Sequence, residues 1–81
     1  MSKWVVDKGT AGILFSKKEP KIHKITDMLI FTDQEITNRS DLEKYKGKEN
    51  ITGDYLFFKR SNSKGEEYIL AIREHLVTKY D

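Results

Sequence analysis

The sequence predicts a small α+β domain, an antiparallel sheet of about four strands with one short helix, and three observations carry that reading. Val, Ile, Leu, Phe and Tyr are gathered in short runs rather than spread along the chain. Polar linkers rich in Gly, Ser and Asn separate those runs. Ser40-Asp41-Leu42-Glu43 has the pattern of a helix capping box, ahead of a segment that Gly47 would end. A small all-β barrel is the alternative. Residues 1–81 read as a single domain, with no internal repeat, low-complexity tract or interdomain linker.

The first element is Trp4-Val5-Val6, a run of strand formers. Asp7-Lys8-Gly9-Thr10-Ala11-Gly12 punctuates it and Ile13-Leu14-Phe15 resumes, which predicts a first hairpin with its turn at the two glycines. Ser16 to Lys21 is polar, holds the lone proline and reads as a connection. Ile22, Ile25 and Leu29 sit at helical spacing behind Pro20, yet the compact run Met28-Leu29-Ile30-Phe31 and the Ile, Thr and Phe content favour strand.

Asp41 to Lys46 is the expected helix, with Leu42 and Tyr45 toward the core. Thr32-Asp33-Gln34-Glu35 is a second box that begins a separate turn or a longer helix broken near Asn38. Lys46 to Asn50 reads as a loop with Ile51 as its anchor.

Gly53 to Arg73 is the most informative stretch. Tyr55 to Arg60 and Glu66 to Arg73 flank Ser61-Asn62-Ser63-Lys64-Gly65 and predict a hairpin. Its expected register sets Arg60 opposite Glu66, Lys59 opposite Glu67, Phe58 opposite Tyr68, Phe57 opposite Ile69 and Leu56 opposite Leu70. Opposite charges and aromatic–aliphatic pairs are what cross-strand neighbours favour. Ile69, Ile72, Leu76 and Tyr80 also recur at helical spacing, so residues 66–80 admit a helix as the rival, or a strand to about Arg73 followed by a helical turn through Leu76 and Val77.

Composition narrows the function classes. The chain has no cysteine, which removes disulfides and thiolate metal sites. Charged residues are 35% of the chain but sum to a net charge of only +2, with both signs interleaved. That balance permits nucleic-acid binding without demanding it. No apolar stretch is long enough to span a bilayer, and the first residues lack the apolar region of a secretion signal, so a cytoplasmic location is expected. The Asn38-Arg39-Ser40 and Asn50-Ile51-Thr52 tripeptides then read as chance matches to the glycosylation pattern.

Catalytic parts are sparse. His23 and His75 belong to no ligand-spaced pair, so neither a metal nor a cofactor is expected. Lys8-Gly9-Thr10-Ala11-Gly12 lacks the spacing of a phosphate-binding loop. A metal-independent nuclease assembled from His23, His75, Ser61 and Tyr55 is the weakest of three functional readings.

Binding features are more numerous. The leading reading is a non-catalytic binding protein, an inhibitor or adaptor, that contacts a protein partner through Trp4, Tyr55, Lys59, Arg60 and Lys64. Both faces of Tyr55–Phe58 and Tyr68–Ile72 are apolar, and a chain of 81 residues has little with which to cover them. An uncovered face or edge invites a partner or a second copy, so a homodimer is expected. The alternative is a nucleic-acid-binding module using Lys17, Lys18, Lys21 and Lys24, with exposed aromatics stacking on bases.

Overall fold

The computed structural model describes residues 2–81, and Met1 lies outside the described residues. Two antiparallel sheets make the fold. β1 (Lys3–Val6), β4 (Leu29–Thr32) and β8 (Val77–Tyr80) form a three-stranded sheet in the order β4-β1-β8. β2 (Ala11–Phe15), β3 (Lys21–Lys24), β5 (Ile36–Thr37), β6 (Tyr55–Ser61) and β7 (Glu67–Arg73) form a five-stranded sheet in the order β3-β2-β7-β6-β5. The expected α+β fold is therefore corrected: among the described residues no α-helix forms, the strands number eight rather than four, and the all-β alternative fits.

The expected first hairpin is also corrected. β1 and β2 do not pair; they are two halves of one strand bent at Gly9, whose φ is 94°. The partner strand is bent likewise. Lys3 lies opposite Thr32 in one sheet and Ala11 opposite Lys24 in the other, a single continuous register running through the corner. The corners hold each other, because Gly9 N–H donates to the Ile25 carbonyl and Ile25 N–H to the Thr10 carbonyl, both at 2.8 Å. The true hairpin loop is Ser16–Pro20. Strands that change sheet at a bend are a general way of bringing two sheets face to face.

Gly12 sits inside β2 rather than in a turn, for a steric reason. A Cβ there would lie 2.9 Å from the Ala71 carbonyl oxygen of β7. Only glycine lets the two backbones approach that closely.

The β6–β7 hairpin forms, but its register is shifted by two residues from the expected one. Arg60 faces Tyr68, Phe58 faces Leu70 and Leu56 faces Ile72. Asn62 explains the shift. Its side-chain oxygen accepts from the N–H groups of Lys64 (2.9 Å) and Glu66 (3.0 Å), while its backbone N–H donates to the Glu66 carbonyl. An Asn side chain bonding its own turn is a strong local organiser, and with Gly65 at φ 80° it closes the chain around Asn62–Glu66. A shift of two preserves which side chains share a face. Lys59 and Glu67, now diagonal neighbours, still pair at 3.1 Å.

Helix is absent at Asp41–Lys46 because the segment is short. A single turn gains little hydrogen bonding for the dihedrals it fixes. The chain forms a 3-10 turn at Arg39–Leu42, capped by a box in which Asn38, not Ser40, pairs with Asp41. A second 3-10 turn follows at Lys48–Asn50. Leu42 and Tyr45 do face inward as expected, and Ile51 joins them. The box at Thr32 begins a 3-10 turn, Asp33–Glu35, without a side-chain cap. At the end of the chain the mixed alternative holds: β7 ends at Arg73, a 3-10 turn follows at Glu74–Leu76, and β8 then adds a strand that the sequence pattern had not indicated.

The two apolar faces of the β6–β7 hairpin are both covered from within the chain. One packs Phe57, Ile69 and Ala71 under Leu42, Tyr45 and Ile51. The other packs Phe58, Leu70 and Ile72 against Val6 and Phe31 of the three-stranded sheet, with Ile25 filling the corner. The shortage of covering material expected from chain length does not arise at this hairpin. Phe31 and Phe58 stack across the two sheets with ring centroids 4.2 Å apart.

Candidate binding cleft and open sheet face

The two sheets are unequal, and the inequality makes a cleft. Residues of β2, β3, β6 and β7 in the larger sheet and of β4 in the smaller one line an open space of about 740 Å³. Its floor is apolar, from Leu14, Leu70, Phe58 and Phe31, with half-buried Tyr68 beside them. The β2–β3 loop overhangs it with Lys17 and Lys18, and edge strand β3 contributes Lys21 and His23. The volume is that of a ligand site, with an apolar floor inside a rim that is mostly charged or polar.

Charge in the cleft is unbalanced once internal partners are counted. Three carboxylates line it, and two of them are ion-paired. Glu19 pairs with Lys46 at 3.7 Å, Glu67 with Lys59, and Glu66 accepts from the Asn62 amide at 3.2 Å. Arg60 is likewise engaged: it pairs with Glu35 at 3.3 Å, donates to the Ile30 carbonyl and lies over the Phe31 ring at 4.2 Å. Lys17, Lys18, Lys21 and His23 have no ion-pair partner among the described residues.

The residues singled out in the sequence do not form one surface. Lys59 and Arg60 are consecutive in β6 and so point to opposite faces. Tyr55 packs against the cluster under Leu42, with Arg73 5.5 Å above its ring. Trp4 packs toward the inter-sheet core, donates its indole N–H to Asp33 at 3.2 Å and has the Lys79 ammonium 5.0 Å from its ring. Lys64 is exposed in the β6–β7 loop. Of the four lysines of the nucleic-acid reading, Lys17, Lys18 and Lys21 meet at the cleft, while Lys24 lies on the other face of β3. The four residues of the nuclease reading do not converge, since Tyr55 and His23 belong to opposite faces of the larger sheet. No group of three or more His, Asp or Glu able to hold a metal occurs among the described residues.

The exposed pair Lys59–Glu67 has displaced ionisation. Its hydrogen bond and charge attraction hold Glu67 below its ordinary value and Lys59 above.

A second feature lies outside the cleft. Trp4, Val6, Leu29, Phe31 and Val77 face inward, so Val5, Ile30, Thr78 and Tyr80 face out from the three-stranded sheet. Val5 stands directly between Ile30 and Thr78. Ile30 and Tyr80 are 46% and 56% exposed. The signal was present in the alternation of β1 and β4, but it could be read only once their inward face was known. Met28 and Ile22 are exposed as well, Ile22 at 79% on edge strand β3.

Comparison of the chain with protein-family models, curated proteins and solved structures finds no match. No helix among the described residues is long and apolar enough to cross a membrane.

Proposed function

We propose that the chain is a non-catalytic binding protein that acts by presenting sheet surface to a protein partner, as an inhibitor or adaptor does. The observation that supports this is the outer face of the β4-β1-β8 sheet, where Val5 stands beside exposed Ile30 and exposed Tyr80 lies diagonally across from Val5, opposite Lys3. Scattered apolar residues on a surface need no explanation. An apolar group on one sheet face, beside the free edge of β8, is the arrangement through which sheets add partners. A second copy of the chain is one such partner, and the homodimer reading moves from the β6–β7 hairpin to this face.

The test is affinity capture from cells with and without nuclease, using the native chain and a variant carrying Ile30→Glu and Tyr80→Glu. Both side chains are exposed, so the variant should fold. Protein capture that survives nuclease and is lost in the variant is the expected outcome. Capture abolished by nuclease, or equal for both chains, would overturn the proposal.

A further inference from the structure

Beyond the outer sheet face, we infer that edge strand β3 and the adjoining cleft form a second docking site, one for an acidic peptide segment in extended conformation. β3 is the end strand of the five-stranded sheet and, among the described residues, pairs with a strand on its β2 side only. Its outward backbone groups are therefore free to receive another strand. Three of its four residues, Lys21, His23 and Lys24, are basic. Lys17 and Lys18 stand on the cleft side of the same edge.

The usual role of lysine on an edge strand is to discourage pairing. Here that role selects the partner. A second β3 laid along the first would set lysines beside lysines, and like charges directly opposite each other are unfavourable. An acidic strand meets the reverse. Two of the three cleft carboxylates are ion-paired within the chain and Glu66 is not, whereas Lys17, Lys18, Lys21 and His23 all lack an ion-pair partner among the described residues, so positive charge is left over for an incoming ligand. Side chains alternate along the edge: Lys21 and His23 point to the cleft, Ile22 to the opposite face, where it is 79% exposed. The segment that fits has acidic residues on the cleft side and apolar residues beside Ile22. Repulsion of basic and neutral strands supplies the specificity as much as attraction does.

The proposal is tested by fluorescence anisotropy with a short labelled peptide in which glutamate alternates with valine. Its lysine–valine counterpart and an oligothymidylate serve as competing probes. The acidic peptide should bind, and binding should weaken as salt is raised. The variant carrying Lys21→Glu and His23→Glu, the two β3 residues on the cleft side, should bind it about tenfold less tightly or worse and accept the lysine peptide instead. Should that variant misfold, Lys17→Glu with Lys18→Glu gives an independent reading from the loop. Amide shift changes confined to residues 21–24 complete the expected result. Binding unchanged by either charge reversal, shift changes at Val77–Tyr80 instead, no peptide binding at millimolar concentration, or binding of oligothymidylate alone would each overturn the inference.

Discussion

Removing the Phe58 ring should separate the two sheets, and the structure sets the size of the effect. Phe58 is completely buried and stacks on Phe31 across the inter-sheet core. Truncating such a residue to alanine costs about 3–5 kcal/mol, because the transfer energy is lost and the cavity does not fully collapse. At roughly 0.05–0.15 kcal/mol per residue, a chain of this length has a total stability of about 4–12 kcal/mol. Phe58→Ala therefore removes a large share of it, and thermal midpoints should fall by about 12 °C or more.

The more discriminating measurement keeps the chain folded. Phe58→Leu and Phe31→Leu each delete part of a ring, and the double mutant completes a cycle. The stacked pair should show a coupling of about 0.5–1.5 kcal/mol. Urea unfolding followed by Trp4 fluorescence is the suitable assay, since Trp4 is the lone tryptophan and lies in the smaller sheet. Far-UV circular dichroism reports mainly on the larger sheet, so coincident transitions mean that the two unfold together. A coupling indistinguishable from zero, or a loss for Phe58→Ala below about 1 kcal/mol, would refute the inter-sheet stack.

Three further outcomes follow from the same geometry. Gly12→Ala should destabilise by about 1–3 kcal/mol by urea titration, because its Cβ meets the unyielding backbone of β7 rather than a flexible side chain; Gly9→Ala, strained by its φ of 94° but with open space around it, should lose about 1–2 kcal/mol. The Lys59–Glu67 pair should stabilise the fold across neutral pH. Glu67 is held below its ordinary 4.5, so its share is present above that value and disappears as pH falls through the folded-state value; Lys59 is held above its ordinary 10.5, so its share is present below that value and disappears as pH rises through the folded-state value. A double-mutant cycle with Lys59→Met and Glu67→Gln, run in acid, neutral and alkaline buffer, should show coupling only at neutral pH, and less at high salt. Sedimentation equilibrium at micromolar concentration should show self-association that Ile30→Glu abolishes, and a monomer throughout would leave the outer sheet face without a second copy as its partner.

What the sequence by itself determined is local. The apolar runs at Trp4–Val6, Ile13–Phe15, Leu29–Phe31, Tyr55–Phe58 and Tyr68–Ile72 are strands, because β-branched and aromatic residues in short runs favour the pleated backbone. The inward residues Leu42 and Tyr45 and the break after Arg73 were legible for the same reason: each depends on near neighbours in the chain. What only the tertiary structure decided is pairing. Whether Asp7–Gly12 reverses the chain into a hairpin or bends one strand into a second sheet depends on Ile25, distant in sequence, accepting and donating the corner hydrogen bonds. The β6–β7 register is the exception: it turned on the local hydrogen bonds of Asn62 within residues 62–66. The helix was lost because six residues close too few helical bonds to offset the dihedrals they fix. The limit set by pairing applies to the candidate sites too. Lysines and apolar residues could be counted from the sequence, but which of them share a face is set by strand order. That order brought Lys17, Lys18, Lys21 and His23 to one cleft, sent Lys24 to the far side and left Val5, Ile30 and Tyr80 facing outward.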